Sequence, residues 1–250
     1  DYLRKQKQIA MESVKNDAIQ NYIEAKDACV NYIKGQDQAR EKEFEALYAQ
    51  QFANYDDAAK YELPADFSLR FVFPHAPVRP VTINGGAAMR AWYDIYSFDR
   101  GGRVDERGIR DSGSIAAELI RREQARGIAA DRIVLAGFSQ GGAIALHAAL
   151  RYPEKLAGLM ALSTYLPLTS TLDAEVVDNP AAVNKDIPIF MAHGSFDPVL
   201  PMQMGSDSRD LLLDRGFGIE WHDYPMAHAV CAEEIAHIRH WLLGVFGAAE

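Results

Sequence analysis

Residues 131 to 150 read DRIVLAGFSQGGAIALHAAL: an apolar run, a serine set between glycines, then small and apolar residues at helical spacing. The centre, Gly137-Phe138-Ser139-Gln140-Gly141, is a Gly-x-Ser-x-Gly pentapeptide. In a nucleophile elbow the chain turns sharply from strand to helix, and small flanking residues avoid a Cβ clash with the neighbouring strand or helix. The turn lifts the serine oxygen above the carboxyl edge of a sheet, where the next amide, at a helix N-terminus, can donate to an oxyanion. The bland alternative is a glycine-rich turn in a nucleotide-binding fold. No G-x-G-x-x-G and no Walker A lysine accompanies it.

Outward from this segment, short apolar runs alternate with longer amphipathic ones. Leu69 to Pro74, Arg132 to Ala136, Leu156 to Ser163, Ile187 to His193 and Gly218 to Tyr224 read as strands. Asp105 to Gly127, Gly142 to Tyr152, Met204 to Gly216 and Ala232 to Phe246 carry helical spacing. This alternation predicts an α/β fold, a mostly parallel central sheet with helices on both faces. Strands that are apolar throughout fit burial on both sides.

A serine hydroxyl is a weak nucleophile at neutral pH and needs a histidine base oriented by an acid. In this architecture the chain order is Ser, then Asp or Glu, then His, on loops after later strands. Of the seven histidines, His75 and His147 come too early, and His222 lies inside an expected strand. His237 and His240 lie on the last helix and read as a solvated or partly packed face rather than a metal pair. His228, between the last strand and the last helix, occupies the position required of the base. His193 is the competitor, but it ends its strand and precedes the best acid, Asp197, which stands in a Gly/Pro-containing loop. Asp207 and Asp210 fall in an expected helix.

Composition narrows the partners. At 250 residues with a formal net charge of −9, the chain lacks the basic surface a nucleic-acid partner would require. It contains no apolar run long enough to span a bilayer and no secretory pattern in its first residues, so no stable membrane anchoring and a cytoplasmic setting are expected. Cys29 and Cys231 fit no metal or redox spacing and read as free thiols. Residues 1–62 are polar and largely helical in character, with a possible strand at 27–35, ahead of a core at 63–250; one compact domain overall is expected.

With Ser139, Asp197 and His228 placed, the chain resembles the bacterial carboxylesterase branch of the phospholipase/carboxylesterase family, which is related to acyl-protein thioesterases. RFVFPHAPVRPVTINGG, WYDI, RIVLAGFSQGGAIALH, ALSTYLP, IPIFMAHGSFDPVLP and YPMAHAV carry the likeness. The resemblance implies an α/β-hydrolase fold, no cofactor, and hydrolysis of esters or thioesters with a hydrophobic acyl group. It implies Ser139 as nucleophile, Asp197 as orienting acid, His228 as base and the Gln140 amide as one oxyanion donor. Where the family has a His-Gly-Leu-Gly loop, this chain has Lys34, Gly35, Gln36 and Asp37. If that loop keeps its path, the Gln36 amide is the second donor.

For the acyl chain, Met89, Trp92, Phe138, Leu166, Leu168, Leu200 and Met202 offer apolar surface, with Trp92, Leu168 and Phe138 the foremost pocket residues. His193 and Gly194 read as shaping the acid loop. The expected function is hydrolysis of a small-molecule carboxylic ester with a small or medium acyl chain, by a monomer or homodimer. Two alternatives stand: a lysophospholipase or acyl-protein thioesterase, and a catalytically impaired hydrolase fold acting as a binding module.

Overall fold

The computed structural model describes residues 69–97 and 102–247. The polar segment 1–62, with its expected strand, Cys29 and Gln36, lies outside the described residues. The chain divides into two compact units, Asp1–Ala91 and Trp92–Glu250.

In the first unit, β1 (Val78–Val81) pairs antiparallel with β2 (Ala87–Arg90), Val81 opposite Ala87 and Val78 opposite Arg90. The reversal runs through Gly85 and Gly86, whose φ values of 65° and 78° suit glycine. The strand expected at Leu69 to Pro74 does not form: those residues have no ladder partner among the described residues, and Phe71 and Phe73 are exposed. Apolar alternation supplies a face, but a strand also needs a neighbour for its N–H and C=O groups.

The second unit runs α1 (Glu106–Ala125), β3 (Val134–Phe138), α2 (Gln140–Arg151), β4 (Gly158–Leu162), β5 (Ile189–Gly194), α3 (Met202–Leu213), β6 (Ile219–Tyr224) and α4 (Ala232–Phe246). The four strands form one parallel sheet in the order β3-β4-β5-β6, flanked by helices. Every residue of β4 and β5 is buried, which is why these two strands are apolar end to end with few polar interruptions. The main core joins Leu146, Leu150, Leu159, Ile189, Met191 and Leu212.

Local chemistry sets the helix positions. Asp105 caps α1 by accepting from the Gly108 amide at 3.0 Å, and Ile109, Ser112, Gly113, Ala116 and Ile120 form its buried stripe. At Gly113 a Cβ would stand 2.9 Å from the His147 ring, so this glycine lets α1 and α2 approach. From Gly142 to Leu150, α2 is buried all round, consistent with its small and apolar composition.

One carboxylate ties α1 and α2 to the segment between β4 and β5. Glu175, in the turn Asp173–Val177, accepts from Arg110 at 2.8 Å, Arg151 at 2.6 Å and Thr171 at 2.9 Å. Burial alone would raise its pKa, but these donors outweigh it and hold the carboxyl at about 2. Next to them, burial first and then the Arg151 and Arg110 charges push His147 down to about 4. No helix among the described residues is long and apolar enough to cross a membrane.

Candidate active site

Parallel strands place the loops after β3, β5 and β6 at one edge of the sheet, the edge where open α/β sheets hold their ligands. Ser139 follows β3, Asp197 follows β5 and His228 follows β6. Topology therefore collects three residues separated by 58 and 31 positions in sequence.

Ser139 sits between strand and helix at φ 54° and ψ −122°, a strained conformation for a residue with a side chain. Its N–H donates to the Leu162 carbonyl at 2.9 Å. Its own carbonyl accepts from the Ala143 amide at 3.1 Å and from the Thr164 hydroxyl at 2.7 Å. The glycines around it are not equivalent. A Cβ on Gly137 would lie 2.2 Å from the Gly141 backbone, and one on Gly142 would lie 2.7 Å from the Thr164 methyl. One on Gly141 would meet only Trp92 Nε1, at an ordinary 3.8 Å. Close approach of strand and helix thus demands glycine at 137 and 142, whereas the motif's second glycine is not sterically required.

The side chain of Gln140 reaches back to the segment before α1. Its Oε1 accepts from the Trp92 amide at 3.0 Å, and its Nε2 donates to the Tyr93 carbonyl at 2.9 Å. Ser112 donates its hydroxyl to the Trp92 carbonyl, Asp105 accepts from the Asp94 amide at 2.9 Å, and the Tyr93 and Tyr165 hydroxyls meet at 3.0 Å. Residues 92–94 are consequently held by side chains rather than by a sheet ladder. The Gln140 amide itself stands at the first position of α2, where the helix N-terminus favours developing negative charge.

Asp197 is buried. Its Oδ1 accepts from the Val199 and Leu200 amides at 2.9 and 2.8 Å, and its Oδ2 lies 2.6 Å from His228 Nδ1. Burial would raise its carboxyl, but hydrogen bonding from the His193 and His228 side chains and from Leu200 reverses that, holding it well below the usual carboxylate range. The two histidines differ in geometry. His193 Nε2 is 3.5 Å from Asp197 Oδ2 but donates to the Leu200 carbonyl at 2.8 Å, so His228 is the acid's close partner and His193 braces its loop.

Gly194 earns its place by contact: a Cβ there would stand 2.2 Å from the Ala227 carbonyl oxygen and 2.4 Å from that of Met226. The loop bearing His228 therefore lies directly on the end of β5. His193 bonds within the acid loop, at the Leu200 carbonyl, whereas the close contacts of Gly194 are with the loop of His228.

The expected apolar wall separates into parts. Trp92 and Leu168 pack on the same small cluster of Tyr93, Ile109, Ala143 and Ile144, beside the first turns of α2. Phe138 instead faces the base, its ring 4.7 Å from the His228 imidazole. Leu166 and Leu200 are buried, and Leu166 belongs to the main core. Met89 lies on β2, in the other unit. Gln36 and the segment Lys34 to Asp37 lie outside the described residues.

Sequence reasoning missed the contributions of Gln140's side chain, Thr164 and Gly142, since each acts across the fold on a residue distant in sequence. Only the run of two glycines at 141 and 142 was a visible signal. His237, on α4, shares a 2.9 Å hydrogen bond with the Tyr224 hydroxyl and stacks on His222 at 4.4 Å, so it packs against β6. Among the described residues no group of three His, Cys, Asp or Glu is arranged to hold a metal ion.

The phospholipase/carboxylesterase family model matches residues 54–245. Acyl-protein thioesterase 1 of Neurospora crassa is 45% identical over 180 residues, covering 70% of this chain and 73% of the relative. The protein of that name from Schizosaccharomyces pombe is 39% identical over 183 residues, covering 72% and 80%. These relatives are fungal and do not support the bacterial carboxylesterase branch suggested by the sequence. Among solved structures, Arabidopsis thaliana SOBER1 superposes with a TM-score of 0.70 at 29% identity, covering 78% of this chain and 93% of that one. Acyl-protein thioesterase 2 of Zea mays gives 0.63 at 29% identity, covering 70% and 80%.

Proposed function

The chain belongs to the phospholipase/carboxylesterase family of hydrolases, and we propose that within it the protein is a serine hydrolase of the acyl-protein thioesterase kind. The names of its relatives favour a thioester over the small carboxylic ester that the sequence reading put first. The observation that carries the catalytic assignment is the 2.6 Å hydrogen bond between His228 Nδ1 and buried Asp197, at the sheet edge where Ser139 stands in its strained elbow.

In this reading Asp197 accepts a hydrogen bond from the Nδ1–H of His228, leaving Nε2 to accept the Ser139 proton as Oγ attacks the carbonyl carbon. The carbonyl electron pair moves onto oxygen, and the Gln140 amide donates to the oxyanion. If the loop at Lys34 to Asp37 keeps the family's path, the Gln36 amide is the second donor. Collapse expels the thiol, which takes the proton from His228. Water, deprotonated by the same imidazole, then hydrolyses the acyl-enzyme. These steps balance without a cofactor. Trp92 and Leu168, packed beside the elbow, offer apolar surface to the acyl chain.

Labelling with an organophosphonate, followed by hydrolysis of a palmitoyl thioester and of short- and long-chain aryl esters, tests this. The expected result is covalent labelling at Ser139 and preference for the thioester. Faster hydrolysis of short aryl esters returns the assignment to carboxylesterase. Folded protein that resists labelling supports the binding-module reading instead.

A further inference from the structure

The peptide unit joining Ser139 to Gln140 has two ends of interest. Its N–H is the oxyanion donor of the proposed mechanism, and its C=O is held by the Ala143 amide of α2 and by the side chain of Thr164, two residues past the end of β4. A trans peptide is planar, with N–H and C=O pointing in opposite directions, so whatever fixes the carbonyl also aims the amide.

The carbonyl of Ser139 accepts from Thr164 Oγ1 at 2.7 Å, and the amide of Ser139 donates to the Leu162 carbonyl at 2.9 Å. Residues on either side of Ser163 thus grip both backbone groups of the serine. Between them Ser163 adopts φ 45°, the left-handed region that residues with side chains avoid, and is fully buried. This kink at the end of β4 lets Leu162 continue the ladder to β3 while Thr164 turns its hydroxyl to the same residue.

Both branches of the Thr164 side chain are engaged. A Cβ on Gly142 would come within 2.7 Å of the Thr164 methyl, so the first turn of α2 closes on that branch and holds the rotamer that presents the hydroxyl to Ser139. Thr164 is 1% exposed, so water does not compete for this bond. Donation to the carbonyl also draws electron density from the amide nitrogen and makes its N–H a stronger donor.

We propose that Thr164 is a positioning residue for the oxyanion hole: its hydroxyl, bonded to the Ser139 carbonyl, aims and polarises the Gln140 amide. This rests on Ser139 acting as nucleophile. The group acts through the peptide and does not touch substrate.

The test compares wild type, T164V and T164S for kcat and KM on a palmitoyl thioester and for inhibition by an acyl trifluoromethyl ketone, whose adduct carries an oxyanion. Valine keeps the shape and removes the hydroxyl; serine keeps the hydroxyl and removes the methyl. The expected result is a kcat for T164V lower by about three- to ten-fold. Its ketone inhibition constant rises by a similar factor, with KM unchanged. T164S stays within about two-fold of wild type in both, because the hydrogen bond persists. Unchanged kcat and inhibition in T164V overturn the proposal. So does a T164S loss of about three-fold or more relative to wild type, since the hydroxyl is retained there, a result readable even if T164V does not fold. A wild type that neither turns over the thioester nor labels at Ser139 overturns the hydrolase reading itself, and this inference with it.

Discussion

Gly194, the last residue of β5, faces the loop of the candidate base so closely that a Cβ would lie 2.2 Å from the carbonyl oxygen of Ala227. The strand that leads to Asp197 and the loop that carries His228 therefore meet backbone to backbone. Beside that contact, Asp197 and His228 share a 2.6 Å hydrogen bond. Gly194→Ala is expected to displace residues 226–228 and lower kcat by about a hundred-fold, the scale of a 1 Å misplacement. Steady-state kinetics on the purified variant checks this; near-normal kcat would show that the loop can give way.

The elbow glycines separate a steric demand from a motif. Gly137→Ala puts a methyl 2.2 Å from the Gly141 backbone and is expected to cost at least about 1–3 kcal/mol through overpacking. Gly141→Ala meets only an ordinary 3.8 Å contact, and alanine in a helix is favoured over glycine by about 0.5–1 kcal/mol. Urea unfolding of both variants is expected to show loss in the first and none in the second.

Asp197→Asn keeps an oxygen for the Val199 and Leu200 amides, so the turn survives. Its amide would face His228 Nδ1 as a donor and force the wrong imidazole tautomer. The expected outcome is normal stability with kcat reduced by about four orders of magnitude. A loss below about ten-fold would remove Asp197 from the orienting role.

Glu234 is buried in the first turn of α4, and neither of its oxygens completes a hydrogen bond among the described residues. Burial pushes its pKa from 4.5 up to about 8, and the Cys231 backbone offsets this only in part. The folded protein thus keeps a proton that the unfolded chain has already released, so stability falls as pH rises from 4.5 toward 8 and levels off above. The slope is at most about 1.4 kcal/mol per pH unit. Glu234→Gln is expected to remove it, so that the variant gains on wild type across this window. Unfolding curves at about pH 5 and about pH 8.5 measure the difference. A difference independent of pH would refute the assignment.

Much of the fold was legible because burial leaves a mark on local sequence. The runs at Arg132, Leu156, Ile187 and Gly218 locate β3 to β6 within two residues at their starts, and Ala232 to Phe246 is α4 as expected. Leu69 to Pro74 carries the same apolar mark without forming a strand, because pairing is a property of neighbours. The candidate residues Ser139, Asp197 and His228 were legible for a topological reason: in a parallel sheet, residues just after successive strands share one edge.

By itself, then, the sequence determined the order of elements from α1 to α4 and the sheet edge that collects the candidate residues Ser139, Asp197 and His228. Periodicity and turn residues act locally and survive in the linear chain. Tertiary structure alone decided how those residues are held: Asp197 against His228, Gly194 beneath Ala227, Gln140 clasping residues 92–94, and Thr164 on the Ser139 carbonyl. Hydrogen bonds and close packing act over a few ångströms in space, between residues that can stand tens of positions apart along the chain.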